Sequence, residues 1–124
     1  MTYSVAWFDS DQFTEHINAQ NHPECPERLD AIRQHIAKAN LDSKLEILVP
    51  TPVERELLQQ LHHPDHIDQI HRATQQGRAQ LDADTGVCTE SWEAALLGAG
   101  ALADAVDYVL GQPNRRAFCS PRPP

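Results

Sequence analysis

The sequence predicts an α/β domain in which helices lie on both faces of a parallel sheet, a three-layer α/β/α arrangement. Three observations predict it. Short runs rich in aromatic and β-branched residues lie at 3–8, 45–49 and 116–119, each ended by Asp, Pro or Ser. Between them, apolar residues recur at helical spacing. Strands that alternate with helices are joined by crossovers, which pair them in parallel. The 124 residues suffice for one domain, 1–124.

Tyr3 to Phe8 reads as a buried first strand, ended by Asp9-Ser10-Asp11. Asp9 and Asp11 are spaced like metal ligands, but an acidic turn is the plainer reading because no third donor lies nearby. Residues 12–21 are polar and irregular. They lead into His22-Pro23-Glu24-Cys25-Pro26-Glu27-Arg28-Leu29, the stretch around which the chain is organised. Pro23 and Pro26 each hold φ near about −65°, and Pro26 suits the first turn of a helix. That helix runs to Ala39, with Leu29, Ile32 and Ile36 as its apolar stripe. His22, Glu24 and Arg28 are the chemically capable side chains at its mouth. The plain reading of Arg28 is an ion pair with Glu24 or Asp30.

Leu45 to Val49 reads as a second strand, stopped by Pro50 and Pro52. Strand, helix and strand at this spacing imply a right-handed parallel crossover. Val53 to Leu61 reads as a short helix with Leu57, Leu58 and Leu61 inward. Pro64 restarts a helix that carries Ile67, Ile70 and Ala73 and ends near Gly77. His62, His63, His66 and His71 gather here. Solvated or locally bonded histidines are favoured over a metal site, because Pro64 interrupts the helix that would align His62 with His66.

Residues 78–89 read as a loop containing Asp82, Asp84 and Gly86. Thr89 is the expected N-cap of the longest helix, Glu90 to Leu110. Its expected apolar side is Trp92, Ala95, Leu96, Ala99, Leu102, Val106, Val109 and Leu110. Gly98 and Gly100 suggest a close approach by a neighbour. A phosphate loop would need a following Lys-Ser or Lys-Thr. Arg116 to Cys119 reads as the third strand, and Ser120 to Pro124 as a stiff extended tail.

The formal charge is −8, which argues against bulk binding to nucleic acid or anionic membranes. The longest apolar run, Ala94 to Ala103, is too short to span a bilayer. Cys25, Cys88 and Cys119 are scattered with no Cys-x-x-Cys, and no signal-peptide pattern opens the chain. A reducing, cytoplasmic setting is expected.

In this order the pieces resemble the N-terminal part of the histone deacetylase superfamily, including bacterial deacetylase-like, acetylpolyamine amidohydrolase and acetoin-utilisation proteins. His22 to Leu29 resembles the family's first active-site loop and helix. Leu61-His62-His63-Pro64-Asp65-His66-Ile67 resembles its helix-turn segment, where a Tyr is more usual at His66. Asp82-Ala83-Asp84-Thr85-Gly86-Val87-Cys88 with Ser91-Trp92-Glu93-Ala94-Ala95 resembles the second rim loop. Ala117-Phe118-Cys119 with Arg122-Pro123-Pro124 resembles the strand that leads to the catalytic centre.

The resemblance implies the N-terminal portion of an arginase/deacetylase-type fold. It also implies a parent activity, zinc-dependent hydrolysis of the amide in acetylated lysine or polyamine. His22, Pro23 and Asp84 would form the substrate rim, and Arg28 would line the internal channel for acetate. Arg122, Pro123 and Pro124 would make the turn before the family's Gly-His-His-Ala. That His pair and the zinc ligands come later in the family, so no catalytic residue, metal ligand or cofactor is assigned to this chain, and it is expected to be inactive alone. The alternative is a shortened, non-catalytic module that self-associates or binds a protein partner. An open strand at Phe118, or the last helix, would then make a homo-oligomer.

Overall fold

The computed structural model describes residues 2–123. Its centre is strand β1 (Ser4–Phe8), flanked by β2 (Glu46–Leu48) and β5 (Arg115–Cys119) in a sheet of order β2-β1-β5. Both pairings are parallel. Phe8 lies across from Leu48 on one side and from Cys119 on the other. Between β1 and β2 run a short helix α1 (Gln12–Glu15) and the longer α2 (Pro26–Lys38). Between β2 and β5 run α3 (Arg55–Leu58), α4 (Pro64–Gln75), a hairpin of β3 (Ala79–Asp82) and β4 (Thr85–Val87), and α5 (Ser91–Gly111).

The chain steps one way from β1 to β2, then back past β1 to reach β5. Right-handed crossovers taken in opposite directions put α2 and α5 on opposite faces of the sheet. The three layers follow. The step also reverses at β1 and β5, so the crevice beyond their carboxyl ends is where such sheets hold their sites.

Ala6 and Phe8 point to the α5 face and join Phe13, Leu29, Leu97, Ala101 and Ala105 in the core. The buried side of α5 is Ala94, Leu97, Gly98, Gly100, Ala101 and Ala105. This corrects the expected apolar side. Leu102, Val106, Val109 and Leu110 are exposed, Leu110 by 78%. The reason is distance. A stripe of small residues lets the helix axis come close to its neighbours, so the bulkier residues are turned outward. At Gly100 the approach is extreme, since a Cβ there would overlap the backbone carbonyl of Thr51. By length and composition the 21 residues of α5 suffice to cross a bilayer, unlike the shorter run expected from sequence, but the small-residue face is packed inside this domain.

Four further expectations are corrected. Residues 79–87 are a hairpin, because Asp82 accepts the Asp84 N–H at 2.8 Å and closes a tight turn. Helix α3 is one turn only, and Leu57 and Leu61 face solvent, with 87% of Leu61 exposed. The N-cap of α5 is Glu90, not Thr89, and its side chain makes no capping bond. Along α2 the stripe is buried only at Leu29, while Ile32 is 38% exposed. Thr51 takes over part of the anchoring near α5, giving its N–H and hydroxyl to Asp104 at 2.7 and 3.0 Å.

Gly100→Ala is expected to destabilise the fold by about 2 kcal/mol or more, because rigid backbone cannot yield to the added methyl. Gly98→Ala meets only the Pro121 Cβ at 3.3 Å. It should stay within about 1 kcal/mol of wild type, since the gain in helix propensity offsets the crowding. Urea unfolding of the two variants tests the contrast.

Candidate functional site

The loops after β1 and β5 meet at the crevice. Asp9, at the end of β1, takes the guanidinium of Arg33 at 2.7 and 3.1 Å. It also accepts the Ser120 hydroxyl at 3.2 Å, and Ser120 receives the Trp7 indole N–H at 2.8 Å. Asp9 is thereby committed to its neighbours, which removes the metal-ligand alternative for this residue.

The stretch 12–21, expected to be an irregular loop, instead supplies two of the most buried side chains. Phe13 and His16 are 0% and 1% exposed. His16 Nδ1 lies 2.7 Å from Ser91 Oγ, which also accepts the Cys88 N–H at 2.8 Å. His16 Nε2 faces Glu24 Oε2 at 3.5 Å. Glu24 receives both Nε and Nη2 of Arg122, at 2.5 and 3.0 Å. Nη1 of Arg122 donates to the carbonyls of Phe13 and His16 at 2.7 and 3.1 Å. A continuous buried network therefore runs from Cys88 through Ser91, His16 and Glu24 to Arg122.

Burial pushes the Glu24 carboxyl upward, but the hydrogen bonds and charge of Arg122 outweigh it and hold Glu24 below the usual carboxylate range. Burial dominates at His16 and holds the imidazole below its usual value, against the pull of Glu24. His16 is therefore neutral in the fold near pH 7. Ser91 has one proton to give, and Nδ1 of His16 can take it.

Above this network His22 and Asp84 meet. His22 Nδ1 accepts the Glu24 N–H at 3.0 Å, which leaves Nε2–H to donate to Asp84 Oδ1 at 2.9 Å. Asn18 ties the same loop to the hairpin, accepting the Gly86 N–H at 2.8 Å. Below the His22–Asp84 pair lies a cavity of about 350 Å³, with His16, Glu24 and Ser91 in its floor and Ile70, Leu81 and Pro123 among its walls.

The structure thus brings His22 and Asp84 together and sets Pro123 in the same cavity. Pro23 is exposed beside them. Arg28 is exposed in the first turn of α2. The ion pair considered for it is not formed, because Glu24 is engaged by Arg122 and Asp30 by Arg33. Arg122 is 4% exposed, and Pro124 lies outside the described residues. The histidines of the α3–α4 corner are used locally. His63 caps α4 by accepting the Asp65 N–H, and His71 stacks on Trp92 at 4.2 Å. His62 and His66 only face one another, at 5.6 Å between rings. Among the described residues no three His, Cys, Asp or Glu side chains converge as metal ligands do.

His16 and Ser91 were not singled out from sequence. Ser91 lies in a segment that carries the resemblance but was given no role there, His16 stands in no local pattern, and the two are 75 residues apart. Only the length of the polar stretch 12–21 inside an otherwise structured region hinted at an irregular segment with its own anchors.

A short parallel sheet wound in both directions, with proline-braced and hairpin loops over its switch point, defines the chain as part of an arginase/deacetylase-type α/β fold. Residues 22–124 match the histone deacetylase domain, and the chain belongs to that family. A protein of Synechocystis, slr0245, is 34% identical over 97% of this chain and 40% of its own length. Histone deacetylase-like amidohydrolase of Pseudomonas aeruginosa is 26% identical over 86% of this chain and 28% of its own. The crystal structure of the HDA15 HD domain superposes with a TM-score of 0.87 at 30% identity, over 99% of this chain and 36% of that one. The chain thus spans less than half the length of these relatives.

Removing one partner of the Glu24–Arg122 pair, by Glu24→Gln or Arg122→Met, is expected to destabilise the fold by about 3–5 kcal/mol, because a buried charge is left alone. Glu24→Gln combined with Arg122→Met should cost clearly less than the sum of these two single variants. A double-mutant cycle from chemical unfolding measures this.

Proposed function

We propose that the chain supplies the N-terminal part of a zinc-dependent deacetylase domain, one that hydrolyses the amide of an acetylated lysine or polyamine. The observation that carries this reading is the convergence of the His22–Asp84 lip, the cavity beneath it and the Arg122 tail at one switch point, on a fold shared with the family. The name of the Pseudomonas relative supports amide hydrolysis as the reaction class.

The residues present do not fit a zinc site. Asp9 and Glu24 are held by guanidinium groups, and His16 is spent on Ser91. In this reading the zinc ligands and the proton-handling His pair come from polypeptide that follows in the family, and this chain alone is inactive. Its own residues have framing roles. His22, Pro23 and Asp84 shape the rim. Arg28 presents a permanently charged fork suited to a carboxylate such as acetate. Arg122 and Pro123 aim the tail, continuing toward Pro124, at the reaction centre.

The test joins this chain to the part of the Synechocystis protein that lies beyond the matched region. Acetate release from acetyl-lysine or acetylpolyamine substrates, lost on chelation and restored by zinc, is expected for the chimera and not for this chain alone. Chelator-sensitive turnover by the chain alone would overturn the division of labour. A correctly folded chimera that is inactive on every acetylated amine would overturn the substrate class.

A second reading is favoured by one surface. Leu102, Val106, Val109 and Leu110 of α5 and Ala117, Phe118 and Cys119 of β5 line one open groove of about 570 Å³. β5 is also an edge strand with unpaired backbone groups. In this reading a second copy of the chain covers the groove and the product is a non-catalytic oligomer. Sedimentation should then show a dimer or larger species at tens of micromolar, on the order of ordinary weak-interface affinities, and Phe118→Glu with Val106→Asp should return it to monomer. A wild-type monomer would remove this reading.

A further inference from the structure

We propose that His16 is a proton-responsive positioning residue. Neutral, it binds the loop after β1, the start of α5 and the Arg122 tail into one body. A proton on its ring would break that body apart.

The geometry leaves no room for the second state. His16 is 1% exposed, and both its ring nitrogens already face partners. Its backbone carbonyl is held by the same Arg122 that neutralises Glu24. Side chain and main chain of one residue thus report to the same buried pair. With one carboxylate and one guanidinium in the enclosure, the charge is balanced. An imidazolium would place a second cation there, and the single Glu24 carboxylate, already forked by Arg122, would have to serve both.

The hydroxyl chemistry points the same way. Ser91 Oγ accepts the Cys88 N–H and gives its single proton to His16 Nδ1. A protonated Nδ1 would become a donor to the same oxygen. The Ser91 proton would then have to turn toward Cys88 Sγ, 3.4 Å away and a poor acceptor. The titratable and charged groups that face His16 are Glu24 from the proline-braced loop, Arg122 from the tail and Cys88 from the end of β4. One step beyond stand His22, through the Glu24 N–H, and Asp84, through His22.

The sign of the linkage follows. The fold holds His16 below its usual value, so the unfolded chain takes a proton that the fold refuses. The stabilisation is complete above the ordinary imidazole value of about 6.5 and is lost progressively as pH falls below it. This inference does not depend on which amide a completed domain hydrolyses, since the chain itself carries every group involved.

Two measurements on the chain test it. The first is a nitrogen-resolved NMR titration of the His16 ring. It should show the neutral Nε2–H form persisting below pH 6.5. The second compares unfolding from pH 8 to pH 5. Relative to His16→Gln, the wild-type unfolding constant should rise by up to about tenfold per pH unit below about 6.5, while His66→Gln, an exposed control, keeps the wild-type slope. Over the same range, amides of residues 17–24 should lose protection in wild type. A His16 ring that takes its proton at the ordinary value while the fold stays intact would overturn the proposal, as would parallel pH profiles for wild type and His16→Gln. Should His16→Gln fail to fold, the ring titration and amide exchange decide alone.

Discussion

The guanidinium of Arg122 joins its own tail to two other segments, helix α1 with the residue after it and the proline-braced loop. It forks onto Glu24 in the proline-braced loop, and it takes the carbonyls of Phe13 and His16 after β1. It rises itself from the tail that leaves β5. Withdrawing two charges from water is expensive, and such a pair persists only where the geometry satisfies nearly every donor and lone pair. Here it does, and no buried side-chain polar atom among the described residues lacks a partner. The crevice at the carboxyl ends of β1 and β5 therefore has a fixed floor although it is built from loops. The hydrogen-bonded pair of His22 and Asp84 is tied to that floor through the Glu24 N–H.

A second constraint shapes the rest of the molecule. Helix α5 packs through small residues, so its axis lies close to Thr51 on one flank and to the sheet beneath. Close packing interlocks backbone with backbone, and it leaves the larger side chains outward. The groove along β5 is the consequence. Its apolar residues are those that the small-residue face displaced, together with the edge strand they overhang. The same packing that stabilises this portion of the domain thus creates a surface suited to being covered.

Much of the fold was legible in the chain itself. The three strands, the helix after Pro26 and the helix after Pro64 are marked by local signals: β-branched runs, N1 prolines and periodic apolar residues. Those signals act over a few residues, so one sequence carries them whole. The hairpin at 79–87 was missed because its closure depends on Asp82 gripping the Asp84 N–H, a contact that no apolar alternation announces. The orientation of α5 was misjudged for a related reason. Counting large apolar residues finds the greasiest face, whereas the sheet selected the face that allowed the nearest approach.

The residues that bear chemistry divide along the same line. His22, Glu24, Asp84 and Arg122 stand out in sequence because prolines, glycine or an acidic turn frame them, and a family resemblance orders them along the chain. His16 and Ser91 do not stand out, because a hydrogen bond across 75 residues has no local trace. Sequence alone determined which elements form and in what order, since propensity and periodicity are near-neighbour effects. Tertiary structure alone decided which loops meet, which carboxylate is buried and which histidine is denied its proton, since burial and pairing arise only when distant segments are packed together.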